Sequence, residues 1–98
     1  FLFYSSNNWF TADYLVAVAR CDTPAGPCNR VYSTPVLGSR GAMLGPGGET
    51  AFRDASGNWL LAFHAWAAAD LQAPTLDGAK RSLRILPLTF PNGKPTVG

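Results

Sequence analysis

One histidine, one glutamate, one methionine and two cysteines are all that this chain of 98 residues holds of those types. The scarcity excludes a good deal. The cysteines stand in the phrase CDTPAGPC (Cys21 to Cys28) with no histidine beside them, so the chain offers no four-ligand zinc site. Their spacing is also not that of a C-x-x-C redox pair. Charged residues amount to 14%, and the net charge of +2 comes from scattered Arg and Lys. No basic stripe of the kind that nucleic acid requires is present. No apolar run approaches the roughly 20 residues needed to cross a bilayer as a helix. Ser56 or Ser82 could be imagined in a triad with His64, but no nucleophile-elbow motif accompanies either.

What is present is a globular composition, 47% hydrophobic, with turn residues punctuating short apolar segments. Residues 13–21 (DYLVAVARC) are rich in β-branched and aromatic side chains and predict a strand. Residues 49–54 and 58–66 flank DASGN, a loop of hairpin type. Residues 81–90 predict a further strand in which Pro87 marks a bulge or an edge position. The one possible helical stretch, 65–73, is short and is followed by Pro74, and its alanines suit a long loop equally well. The fold class is all-β. The opening Phe1-Leu2-Phe3-Tyr4 reads as the inside of a strand, and we expect the parent polypeptide to exceed 98 residues. A disulfide closing the Cys21–Cys28 loop would contribute about 2.5 kcal/mol on a chain-entropy basis and would place the protein outside the cytosol. Two free thiols are the alternative.

The strand at 59–66 is apolar on both faces. Trp59, Leu61, Phe63 and Ala65 point one way, and Leu60, Ala62, His64 and Trp66 the other. The segment 14–20 behaves in the same way. Antiparallel strands with one wet face alternate with charge, and these do not. A sandwich buries one face of each sheet, whereas a propeller stacks every blade between two neighbours. A faint repeat agrees: LFYS (2–5) overlays AFHA (62–65), Phe3 on Phe63, at an offset of 60 residues.

The ordered phrases FLFYSSNNW, DYLVAVARCDTPAGPC, GPGGETAFRDASGNWLLAFHAW and KRSLRILPLTFPNGKP span nearly the whole chain. In that order they resemble the C-terminal part of glycoside hydrolase family 43. The resemblance implies the last blades of a five-bladed β-propeller, an incomplete ring, with residues 1–98 forming the C-terminal part of a single catalytic domain. It implies a secreted parent that hydrolyses α-L-arabinofuranosyl or β-D-xylosyl linkages with inversion. It further implies that the general base, the general acid and the carboxylate tuning the acid all precede Phe1. The partners would be poly- or oligosaccharides, with no nucleic acid and no membrane. The expected alternatives are a non-catalytic carbohydrate-binding propeller and a small secreted β-domain without a sugar role.

The resemblance also directs attention to single residues. Its usual GPGH histidine falls on Gly48 here, which leaves no metal ligand at that position and argues against the family's calcium, so no cofactor is expected. Arg81 falls where an arginine reaches the sugar, with Arg84 the competing register and an exposed blade-edge cation the rival reading. Trp9 could line a cleft, with core packing as its rival. Asn8 could hydrogen-bond a hydroxyl or merely shape its turn. Glu49, the one carboxylate near a cleft by this reading, is otherwise a solvated residue at a blade end. Asp22 and Asp54 sit in turns, where Asp favours the local backbone. His64 is read as a strand imidazole bonded to a neighbour, since a buried polar ring needs a partner.

Overall fold

The computed structural model describes residues 1–68 and 80–98. Two antiparallel sheets account for them. The first comprises β1 (Leu2–Ser6), β2 (Leu15–Cys21) and β3 (Cys28–Arg30), in that order. The second comprises β4 (Met43–Arg53), β5 (Trp59–Ala67), β6 (Arg81–Thr89) and β7 (Thr96–Val97), again in chain order. Each is a meander of the kind that makes a propeller blade, and among the described residues the two do not close a ring. The expected all-β class with blade-like, unclosed sheets is what forms.

Most strand boundaries fall within two residues of those read from the sequence, but β4 begins at Met43 rather than at Glu49. The phrase GPGG therefore lies inside a strand. Its ladder to β5 shifts register between Leu44 and Gly47 and again between Gly47 and Thr50, the irregularity expected where Gly and Pro interrupt a strand. Pro87 sits in mid-strand opposite Leu60. Its carbonyl accepts from Gly98 N–H on the β7 side. The amide hydrogen it lacks would point the same way, toward the short outer strand, so the β5 ladder loses nothing. In the 65–73 stretch, residues 65–67 belong to β5, and 69–73 lie outside the described residues, as do Asp70 and Asp77. No helix among the described residues is long and apolar enough to cross a membrane.

The core lies between the sheets. Val16 and Leu37 meet Met43, Leu61, Phe63, Ala65, Leu88 and Val97, with Phe3 and Ala51 packed against them. The connection from β3 to β4 is drawn into this core where Val16 and Leu37 form an isolated bridge. Tyr32 Oη donates to Pro95 O and Arg40 Nη2 to Val97 O, which tie that connection to the last strand. Truncating Phe63, 2% exposed, would cost about 3–5 kcal/mol.

Burial is two-sided in composition and one-sided in fact. Leu61, Phe63 and Ala65 are covered by the first sheet, whereas on the opposite face of the second sheet Leu83 and Ile85 are 72% and 50% exposed. The Phe3-on-Phe63 overlay also needs adjusting. Phe3 and Phe63 both face the core between the sheets, so they point in opposite senses around any common axis. Overlaying Tyr4 on Phe63 restores equivalent faces, since one residue of slip exchanges them.

Candidate functional site at one end of the two sheets

The β1–β2 loop, the start of β4, the end of β5 and the start of β6 converge at one end of the molecule. Arg81 stands at their centre. Its Nε donates to His64 Nδ1, Nη2 to the carbonyls of Gly45 and His64, and Nη1 to Trp9 O at 3.3 Å. The guanidinium also lies between two rings, 5.3 Å from the Tyr14 centroid and 5.2 Å from that of Trp66. Four of its five N–H hydrogens are thus engaged inside the chain. Burial, the main cause, lowers the Arg81 pKa from its ordinary value, and Tyr14 works against it.

This arrangement fixes the chemistry of His64. Arginine can only donate, so Nδ1 must be the bare acceptor nitrogen and the ring hydrogen sits on Nε2. The ring is kept neutral: burial and then the Arg81 charge lower its pKa below 6.5, with Glu49 opposing. An imidazole with its lone pair bound and its other nitrogen protonated cannot act as a base or ligate a metal through either atom. His64 is a strand imidazole bonded across the sheet, as the sequence suggested, but its partner is a cation.

Gly48 explains where the imidazole goes. It holds φ +63°, and a Cβ built on it would clash with His64 Nε2. Position 48 and the His64 ring therefore claim one volume. The two preceding positions are equally constrained, since a Cβ at Gly47 would enter the Tyr14 ring and one at Gly45 would strike Thr11 O. The residues present do not suit a calcium held through position 48. Among the described residues no three His, Cys, Asp or Glu side chains gather into a metal site.

Trp9 is 46% exposed and stacks on Phe10, itself 49% exposed, at 3.7 Å between centroids. Its carbonyl accepts from both Trp66 Nε1 at 3.1 Å and Arg81 Nη1. The second sheet therefore holds the loop's backbone and leaves the ring outward. Asn8 shapes the same loop, its Oδ1 accepting from Phe10 N–H and its carbonyl from Thr11 Oγ1. Arg81, Trp9 and Asn8 are thus brought together. Arg84 is not: it pairs across from Phe63, and its buried Nε has no partner among the described residues.

Glu49 accepts from Ser5 Oγ at 2.7 Å, and Ser5 Oγ accepts from Gly48 N–H at 2.9 Å, a link between the sheets. Asp54 is occupied by its own turn, accepting from Ser56 and Asn58 N–H, and these bonds hold its carboxyl below the usual range. Cys21 and Cys28 are bonded to each other. Sequence reasoning missed Tyr14, Trp66 and Ser5 as members of this cluster. The run of glycines was the available signal, because residues without Cβ mark close approach of other groups.

No protein-family model matches the chain, and no curated protein sequence matches it significantly. A solved structure does: the crystal structure of a thermostable family-43 glycoside hydrolase superposes with a TM-score of 0.78 at 25% identity, over 97% of this chain. The chain spans 30% of that protein's length. The chain is structurally homologous to a segment of a family-43 glycoside hydrolase.

Proposed function

We propose that these residues are the last blades of a β-propeller glycosidase and that the end carrying Trp9, Arg81 and His64 forms one wall of its substrate cleft. The observation that supports this most directly is the superposition on a family-43 enzyme over nearly the whole chain. It is joined by the convergence of exposed aromatic rings and fixed polar groups at one sheet end, the composition of sugar sites. The parent would hydrolyse α-L-arabinofuranosyl or β-D-xylosyl linkages in plant-type polysaccharides.

In this reading the 98 residues supply shape and the parent's other segments supply the acid and base. Inversion needs two carboxyl groups about 6.5–9.5 Å apart, one protonated, on opposite sides of the scissile bond. Of the described carboxylates, Asp54 is consumed by a turn and Glu49 by Ser5, and Asp13 lines a cavity that holds no second carboxylate. Arg81 acts as a positioning residue that sets the Trp9 loop, and its one unengaged Nη1 hydrogen is what it can offer a sugar. Trp9 offers its exposed ring. The Cys21–Cys28 bond suits a secreted protein, and no cofactor is invoked.

The test is to assay the full-length protein and the 98-residue chain on aryl α-L-arabinofuranosides and β-D-xylosides, following the anomer released by NMR. Full-length turnover with inversion and an inert short chain are expected. Turnover by the short chain would overturn the division of labour, and an inert full-length protein would overturn the hydrolase reading.

A further inference from the structure

The loop that presents Trp9 has a second side. Beside it, residues of the loop, the start of β2 and the β3–β4 connection line a wide-mouthed, solvent-open cavity of about 690 Å³, in the volume range of small-molecule sites but more open than most. Its hydrogen-bonding groups fall into two sets. Thr11 and Ser39 are spent on the fold: Thr11 Oγ1 donates to Asn8 O and accepts from Asp13 N–H, and Ser39 Oγ donates to Ala12 O and accepts from Gly45 N–H. Asn7 Nδ2 donates to Asp13 O. Among the described residues nothing engages the other set, which is the Asp13 carboxylate, Asn8 Nδ2, Asn7 Oδ1 and Tyr14 Oη.

These free groups are a matched array of acceptors and donors on a backbone already held in place. No lysine or arginine lines the cavity, which disfavours phosphate and other anions. Asp13 is its only carboxylate, too few for a metal ion. Pro35 and Leu15 add apolar surface, and the Trp9–Phe10 pair belongs to the same loop. Such a surface fits a neutral ring bearing several hydroxyls, since a carboxylate accepts two of them and an amide bridges a third.

We propose that this cavity is an accessory glycosyl-binding subsite that takes a sugar unit remote from the bond being cleaved. The proposal rests on the carbohydrate reading above and extends it to an adjoining surface that shares Asn8 and Tyr14 with the Arg81 cluster and adds Asn7, Asp13, Gly38 and Ser39. Asp13 is the specificity-determining group, because its charge strengthens each hydroxyl bond it accepts.

The test is an NMR titration of the full chain with arabinohexaose and xylohexaose, paired with calorimetry on the Asp13→Asn variant. That variant keeps the main-chain bonds that hold residue 13 and should fold as the parent does. Amide shifts clustered at Asn7, Asp13, Gly38 and Ser39, with an affinity about tenfold weaker in the variant, are expected. Shifts confined to the Trp66 and Arg81 end, with the variant's affinity unchanged, would overturn the subsite and leave the carbohydrate reading standing. No binding of either hexasaccharide at millimolar concentration would overturn both.

Discussion

Gly48→Ala is the sharpest perturbation of the site, because a single methyl group meets a side chain that cannot yield freely. Two costs apply. A non-glycine residue at φ +63° carries a left-handed penalty of about 1–2 kcal/mol. The new methyl also clashes with His64 Nε2 and its neighbouring ring carbons, so the ring must turn away. Turning breaks its bond from Arg81 Nε, a charged hydrogen bond with a net contribution of about 1.5–3 kcal/mol. The expected destabilisation is therefore about 2.5–5 kcal/mol, read from urea midpoints.

The second variant decides whether shared volume is the cause. His64→Ala alone removes the same hydrogen bond without strain at residue 48. In the double variant the clash has no partner and the bond cannot be lost twice. The double should therefore cost about 1.5–3 kcal/mol less than the sum of the singles. Additive single costs would refute the account of Gly48 as the gap that the imidazole fills.

Other outcomes follow from the same geometry. Arg81→Lys loses the fixed fork that reaches His64, Gly45 and Trp9; near-UV circular dichroism from Trp9 and Trp66, 6.5 Å apart, should weaken, and an unchanged spectrum would refute the clamp. Because the folded-state pKa of His64 lies below 6.5, the unfolded chain binds more protons near that pH. Its contribution is present in full above about pH 6.5 and is lost as pH falls through the lowered folded value. His64→Gln should flatten that part of the urea-midpoint profile, and an unaltered slope would count against it. Leu83→Asp with Ile85→Asp should shift the stability of the 98-residue chain by no more than about 0.5 kcal/mol per site, yet cripple the folding of the full-length protein; equal effects in both would remove the case for a neighbouring blade.

The strands were legible because their signals are local. Period-two apolar runs bounded by Gly, Pro and Asn located β2, β5 and β6 to within two residues. The start of β4 was not, since its GPGG run reads as a turn in isolation and becomes a strand only when Tyr14 and His64 lie against its bare backbone. The site was partly legible. Trp9, Asn8 and Arg81 were singled out and do come together, but the sequence suggested a sugar contact for Arg81 where the structure shows a nearly saturated clamp. That difference depends on carbonyls of Trp9 and Gly45, and no pattern in one dimension reveals where a carbonyl points. The overlay of Phe3 on Phe63 is out of register by one residue for a related reason, as a match of four residues does not set register.

Stability and site shape are joined here in one residue. Arg81 ties β6 to β4 through Gly45, packs against Tyr14 at the head of β2, and holds the outward loop through Trp9, with the same planar group. A change in the angle between the sheets must therefore move the Trp9 carbonyl relative to His64 or break one of the bonds. Interfaces with discrete hydrogen-bonded arrangements do not deform continuously. The exposed ring of Trp9 is consequently held by a rigid frame, to which the loop's own hydrogen bonds add. In a larger propeller the neighbour stacked on Leu83 and Ile85 would press on β6, the strand that begins at Arg81. Ring closure and the placement of the aromatic wall would then be one event, and a segment lacking its neighbour would present the wall without the remainder of the cleft.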